Sequence, residues 1–182
     1  LNPRHYRGYR RRGLWRWLLP PVIPVQTARG CPQACDFCDI TRFEAGTYRP
    51  RPVADVVSEI AARRARVVCF VDDNIFAKHS RAKELFRALI PLRIRWLGQG
   101  TLAAAEDAEL LALARRSGCR GLLVGIETVS QASLASVGKD GLNRVASYGR
   151  LLRRYRQARI DVDASMTFGF DGDGPDVFDA TY

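Results

Sequence analysis

A chain of 182 residues, 47% hydrophobic and 26% charged, is long enough for one domain with a buried core and too apolar to stay disordered. Its five cysteines are odd in number and mostly in one cluster, which argues against a secreted disulfide framework and for a reducing, cytoplasmic setting. The formal charge of +10 admits a phosphate-rich partner, but 26 of the 29 basic residues are Arg, a bias that codon usage produces without any binding face.

Residues 1–20 are basic and aromatic with no period and read as a connector. Arg4, Arg7, Arg10, Arg11, Arg12 and Arg16 crowd them, with Trp15 and Trp17 as a weak interfacial pair. Residues 14–25 are apolar but carry Arg16 and three prolines. They are too short to span a membrane, and cleaving them as a signal peptide would remove a strand. A first strand is expected over residues 22–27, broken by Gly30 and Pro32. There the stretch RGCPQACDFCDI sets Cys31, Cys35 and Cys38 at the spacing C-x3-C-x2-C.

Residues 47–52 hold two prolines and read as extended, after which Val53, Val56, Val57, Ile60 and Ala61 recur at helical spacing. Residues 66–71 are a short apolar run, expected as a strand buried on both faces and ended by Asp72 and Asp73. Ala82, Leu85, Phe86 and Leu89 predict a second helix with Ser80 as its cap and Pro91 beyond its end. A strand over 94–97 leads to Gly98 and Gly100, and Leu110, Leu111, Leu113 and Ala114 predict a helix that Gly118 ends. Residues 121–126 are again uniformly apolar. Val145, Tyr148, Leu152 and Tyr155 share a helical face, and Ile160, Val162, Ala164, Met166 and Phe168 alternate along a fifth strand, followed by the opening of a further helix.

Strands alternating with helices predict an α/β fold with a parallel sheet, in which the loops after the strands converge on the active site. Those loops carry the cysteines, then Asp72, Asp73 and Asn74, then Gln99, then Glu127 and Thr128, and last Gly169 to Asp173. Three thiolates on one loop can hold three irons of a [4Fe-4S] cluster and leave the fourth iron open. A zinc knuckle completed by Asp36, Asp39 or a distant His is the competing reading. Cys69 and Cys119 fall in or beside strands as inert core thiols. His5 and His79 have no partner at a useful spacing, and Tyr148 and Tyr155 read as core. Arg150, Arg153, Arg154, Arg156 and Arg159 read as a solvated face.

The cysteine spacing, with Phe37 just before the third cysteine, resembles the signature of the radical S-adenosylmethionine (SAM) superfamily. FVDDNIF, VGIET and FGFDGD resemble the segments at its later strand ends. The resemblance implies a partial (β/α) barrel. Five of the usual six βα units are visible, so residues 21–182 are expected to be a core whose sixth strand lies past Tyr182. It implies that Cys31, Cys35 and Cys38 hold a [4Fe-4S] cluster, that Asp72 and Asp73 receive the SAM ammonium, and that Glu127 stands near the ribose and carboxylate. It implies too that Phe37 packs on adenine and that Gly169 and Asp171 of FGFDGD approach the same ring. Glu127 as a structural pair with an Arg, Asp72 and Asp73 as caps, and Phe37 as a core anchor remain open. Gln99 reads equally as a substrate contact or a loop hydrogen bond.

The implied activity is reductive cleavage of SAM to a 5′-deoxyadenosyl radical, with flavodoxin or ferredoxin as reductant and a small-molecule or lipid substrate. The motifs most resemble the branch with an upstream cobalamin-binding domain, which includes methylases of hopanoid lipids and implies cobalamin-dependent methyl transfer. A methylthiotransferase-like enzyme acting on RNA and a non-enzymatic zinc module are the alternatives.

Overall fold

Short β-branched runs separated by amphipathic segments fold here as alternating strands and helices. The computed structural model describes residues 21–33 and 35–182. The connector expected over residues 1–20, with His5, Trp15 and Trp17, lies outside the described residues. In chain order the elements are β1 (Val22–Val25), β2 (Ala28–Arg29), α1 (Asp39–Glu44), β3 (Arg49–Pro50), α2 (Val53–Ala62), β4 (Val67–Phe70) and α3 (His79–Leu89). There follow β5 (Arg95–Gly100), α4 (Ala108–Arg116), β6 (Cys119–Glu127), α5 (Gln131–Ser136), α6 (Tyr148–Gln157), β7 (Asp161–Met166) and α7 (Val177–Thr181). Five strands form one sheet in the order β1-β4-β5-β6-β7, every neighbouring pair parallel, while β2 and β3 make a small antiparallel pair. This is the expected α/β architecture, a partial barrel in which all five long strands end on the same side.

The core lies between the sheet and α2, α3, α4 and α6, whose apolar stripes bury Ile60, Phe86, Leu110 and Tyr155 against Val68, Phe70, Trp96, Leu122 and Val124. Trp96 is at its centre. Phe86 stacks on it at 5.2 Å, Phe70 meets it edge-on at 5.3 Å, and its indole N–H donates to Ser117 Oγ at 3.0 Å. Such a side chain is tolerated in an apolar core because its one polar atom is satisfied. Tyr148 and Tyr155 are core residues, as expected, their hydroxyls donating to the carbonyls of Ile126 and Thr128 and of Thr101.

Several expectations need correction. Helices cover one face of the sheet, so β4 is not buried on both: Val68 and Phe70 are buried, Val67 and Cys69 only partly, and Cys69 faces the concave side instead of the core. Val71, Leu97 and Leu123 on that side keep 42–45% of their surface. Cys119 is buried, and burial pushes its thiol pKa up, as suits an inert core cysteine. Ser80 does not cap α3, which begins at His79 after Lys78 with no side-chain cap. His79 has a partner in Asp107, Nδ1 to Oδ2 at 3.5 Å. Along β7 only Val162 and Met166 pack on the core, because β7 is the last strand of the sheet and has a neighbour, β6, along one edge alone.

Because the long strands run in one direction, sequence position becomes charge position. Arg66, Arg93, Arg95, Arg116 and Arg159 stand at strand starts, whereas Asp73, Glu127, Asp171 and Asp173 follow strand ends. Among the described residues no helix is long and apolar enough to cross a membrane.

Candidate active site

The cysteine loop is built by local devices. Gly30 stands at φ +83°, where a side chain would be strained and would overlap the Thr47 carbonyl. The β2–β3 pair pins the two ends of the loop, Ala28 opposite Pro50 and Arg29 opposite Arg49. Glu44 bridges Arg29, at 2.8 Å, and Arg49 across that pair, and the Arg29 hydrogen bond holds its carboxyl below the ordinary range. Cys38 N–H donates to Cys35 O at 3.1 Å, folding the loop into a turn directly before α1. Asp36 N–H donates to Val137 O at 3.2 Å and so ties the loop to the segment after α5.

Cys31, Cys35 and Cys38 border one cavity of about 230 Å³ at the strand ends, together with Phe37, Asp73, Asn74, Gln99, Glu127, Lys139 and Ser165. A larger hollow of about 620 Å³ lies between α4 and α6 on the outer layer and holds none of these residues. Its size does not make it the reactive site, because the chemistry-bearing side chains are all at the smaller one. Burial raises the thiol pKa of Cys31 and of Cys35, with Lys139 pulling the latter back. Among the described residues no three His, Cys, Asp or Glu side chains converge on one ion. A cubane cluster asks for no such convergence, since each thiolate binds a different iron; three thiols around one cavity fit it.

The acidic pair divides at the end of β4. Asp72 continues the even-numbered, helix-facing side and is 1% exposed, accepting from Thr27 N–H at 2.6 Å and Thr27 Oγ1 at 2.5 Å. Burial raises its pKa, and the Thr27 hydrogen bonds oppose the rise. Its carboxylate, expected at the SAM ammonium, is committed to Thr27. Asp73 continues the concave side, lines the cavity and accepts from Gly30 N–H at 3.0 Å.

Glu127 sits where β6 shifts register against β7, at φ +70°, a conformation uncommon outside glycine that stores of order 1–3 kcal/mol of strain. It is 7% exposed and is paired with a lysine instead of an arginine: Lys139 Nζ donates to Oε1 at 2.5 Å and Thr167 Oγ1 to Oε2 at 2.9 Å. A side chain at Gly125 would overlap that carboxylate and crowd the ammonium, so the close approach depends on glycine. Phe37 is no core anchor. Its ring is 44% exposed, lines the cavity, meets Phe170 edge-on at 6.5 Å and has Lys139 Nζ 5.5 Å from its centroid. The Gln99 side chain borders the cavity while its carbonyl accepts from Ile75 N–H at 3.0 Å.

Gly169 and Asp171 lie on the loop after β7 and do not line the cavity. Asp173 organises that loop: its Oδ2 accepts from Gly169 and Phe170 N–H, both at 3.0 Å, and its Oδ1 from Ser133 Oγ at 3.1 Å. Lys139 and Ser165 were outside the residues singled out from sequence, whereas Asn74 and Asp173 were named there only as members of the strand-end loops, with no role of their own. For Lys139 a signal exists: it is one of three lysines in a chain that otherwise uses arginine for its cations.

The family model described as Radical SAM superfamily matches residues 25–182. Bacteriochlorophyllide d C-12(1)-methyltransferase of Chlorobaculum tepidum is 30% identical over 167 residues, covering 88% of this chain and 36% of that protein. Hopanoid C-2 methylase of Rhodopseudomonas palustris is 27% identical over 172 residues, covering 84% of this chain and 31% of that protein. The structure of the radical S-adenosylmethionine methyltransferase TsrM from Kitasatospora setae, with cobalamin and [4Fe-4S] cluster bound, superposes with a TM-score of 0.77 at 23% identity. The match covers 88% of this chain and 33% of that one, and the likeness is one of fold. The chain thus spans about a third of the length of these relatives. With nearly its whole length matched, the chain belongs to the radical SAM superfamily, whose enzymes work with a [4Fe-4S] cluster and S-adenosylmethionine.

Proposed function

We propose that residues 21–182 are the core of a radical SAM enzyme that serves cobalamin-dependent methyl transfer. The observation that carries the reading is the joining of Cys31, Cys35 and Cys38 with Asp73 and Glu127 around one cavity. In this reading the three cysteines hold the cluster. Asp73 receives the SAM ammonium, Glu127 stands near the ribose and carboxylate, and Gln99 adds a polar contact. Phe37 gives the adenine an aromatic face, and the Asp173-braced loop closes the far side, with Gly169 and Asp171 at its turn. Asp72 acts indirectly, by holding Thr27 beneath the loop. When bound, the cluster supplies an electron that splits SAM into methionine and a 5′-deoxyadenosyl radical able to take hydrogen from a substrate. The chain's own part is to orient SAM, place its charged groups and limit water.

Methyl transfer is supported by the names of the relatives, two of which act on a bacteriochlorophyllide and a hopanoid, and cobalamin by the TsrM structure. Cobalamin would be held by a domain outside these residues, and a flavodoxin or ferredoxin in the cytoplasm would supply the electron. The substrate is a small molecule or lipid. The RNA-modifying alternative draws on the two basic segments: Arg4 to Arg16 lie outside the described residues, and in the second segment Arg150 and Arg154 are paired with Glu106 while Arg159 stands at a strand start.

Anaerobic reconstitution with iron and sulfide, followed by reduction and addition of SAM, tests the reading. A brown protein that releases 5′-deoxyadenosine is expected; a colourless protein with stoichiometric zinc overturns it. Cys35→Ala should abolish the cluster and Cys69→Ala should not.

A further inference from the structure

Lys139 is a buried cation in the wall of the cysteine cavity, 7% exposed. An ammonium leaves water only when it is paired, and here Glu127 Oε1 accepts from it at 2.5 Å while the Phe37 ring lies 5.5 Å away. Its backbone is fixed as firmly as its side chain. Lys139 N–H donates to Leu134 O at 2.9 Å, and its carbonyl accepts from Leu142 N–H at 3.0 Å and Asn143 N–H at 2.9 Å. Two residues earlier, Val137 O holds Asp36 N–H of the cysteine loop. The turn that carries the ammonium and the loop that carries the thiols are therefore fastened to each other, with Phe37, between Cys35 and Cys38, at the junction.

We propose that Lys139 is a positioning residue of this site: its ammonium holds Glu127 and the Phe37 ring in place and sets the charge field at the cysteines, favouring the reduced, more negative state of the cluster they bind. The inference rests on the cluster reading above. A cluster on three thiolates gains negative charge on reduction, and a cation beside it in a poorly screened cavity stabilises that state more than the oxidised one. Glu127 acts in the opposite sense, so the pair is a balanced setting of the local field. A lysine suits the place because a compact ammonium fits between carboxylate and ring where a planar guanidinium needs more room.

The test is the midpoint potential of the cluster, followed by electron paramagnetic resonance during a redox titration of the reconstituted full chain without SAM, with iron content measured for each variant. Lys139→Met should retain the cluster and shift the potential to more negative values. Glu127→Gln should shift it to more positive values, the double variant should return toward the unaltered protein, and Lys139→Arg should restore part of the Lys139→Met loss. A merely structural role moves neither single variant, or moves both in one direction, and either result overturns the proposal. Should Lys139→Met fail to fold, the sign of the Glu127→Gln shift and the Lys139→Arg potential decide alone: a positive shift for the first with a smaller, negative displacement for the second supports it, and no shift in either sinks it. If the unaltered protein takes up no cluster, the cofactor reading itself fails and this inference falls with it, a result that colour and iron content distinguish from an unchanged potential.

Discussion

Asp72 and Asp73 are adjacent in sequence and opposite in environment, because consecutive residues leaving a strand point to opposite faces. Burial raises the Asp72 pKa, so the folded chain holds that proton more tightly than the unfolded one. The stability this contributes is fully present below the ordinary aspartate value of about 4 and is lost as pH rises through the raised folded value. Asp72→Asn keeps partners for Thr27 and removes the titration. Its melting temperature should therefore vary less with pH than that of the unaltered protein between pH 4 and 8, as thermal unfolding across that range will measure. Asp72→Ala, by contrast, leaves Thr27 unpaired and should cost about 1–3 kcal/mol at low pH, the cost shrinking as pH rises through the raised Asp72 value. Glu127→Ala strands the Lys139 ammonium in the wall of the cavity and should cost about 3–5 kcal/mol in a denaturant titration, well above the loss from an exposed pair such as Arg150 with Glu106.

The loop after β7 depends on one carboxylate. Asp173→Ala should speed hydrogen exchange at the Gly169 and Phe170 amides while leaving β5 and β6 unchanged; equal exchange would mean that the backbone holds the loop without Asp173. In the core, Ser117→Ala removes the acceptor of the Trp96 indole and should cost about 1–3 kcal/mol in the same denaturant assay. The elements themselves were largely legible. Short apolar runs located the long strands, with alternation added at β7, period-3.6 spacing located the covering helices, and the cysteine loop was readable because its chemistry is contained in eight consecutive residues. Which face of a strand is covered was not legible, since uniform apolarity looks the same whether a strand is buried on two sides or lines an open concave wall, as Val71, Leu97 and Leu123 do. Nor was the Glu127–Lys139 pair, because it forms through a register shift and a left-handed residue, neither of which has a sequence period. Asp173 was similarly hidden among turn-forming residues.

Across the whole molecule, protection should follow the sheet order. Amides of β5, paired on both sides around Trp96, should exchange slowest, and those of β7, whose residues are mostly exposed, fastest among the long strands. A uniform rate across the sheet would contradict this. The same common direction of the strands that orders protection also orders charge, with arginines at one end and carboxylates near the cavity at the other. The charges of the described residues consequently form a permanent electric dipole, on which a charged body nearby exerts a torque before any contact is made. A polyanion swings the strand starts toward itself and leaves the cavity turned outward, open to small reactants. At physiological salt that turning acts only within about 8 Å, so it governs the last moments of approach and not long-range capture.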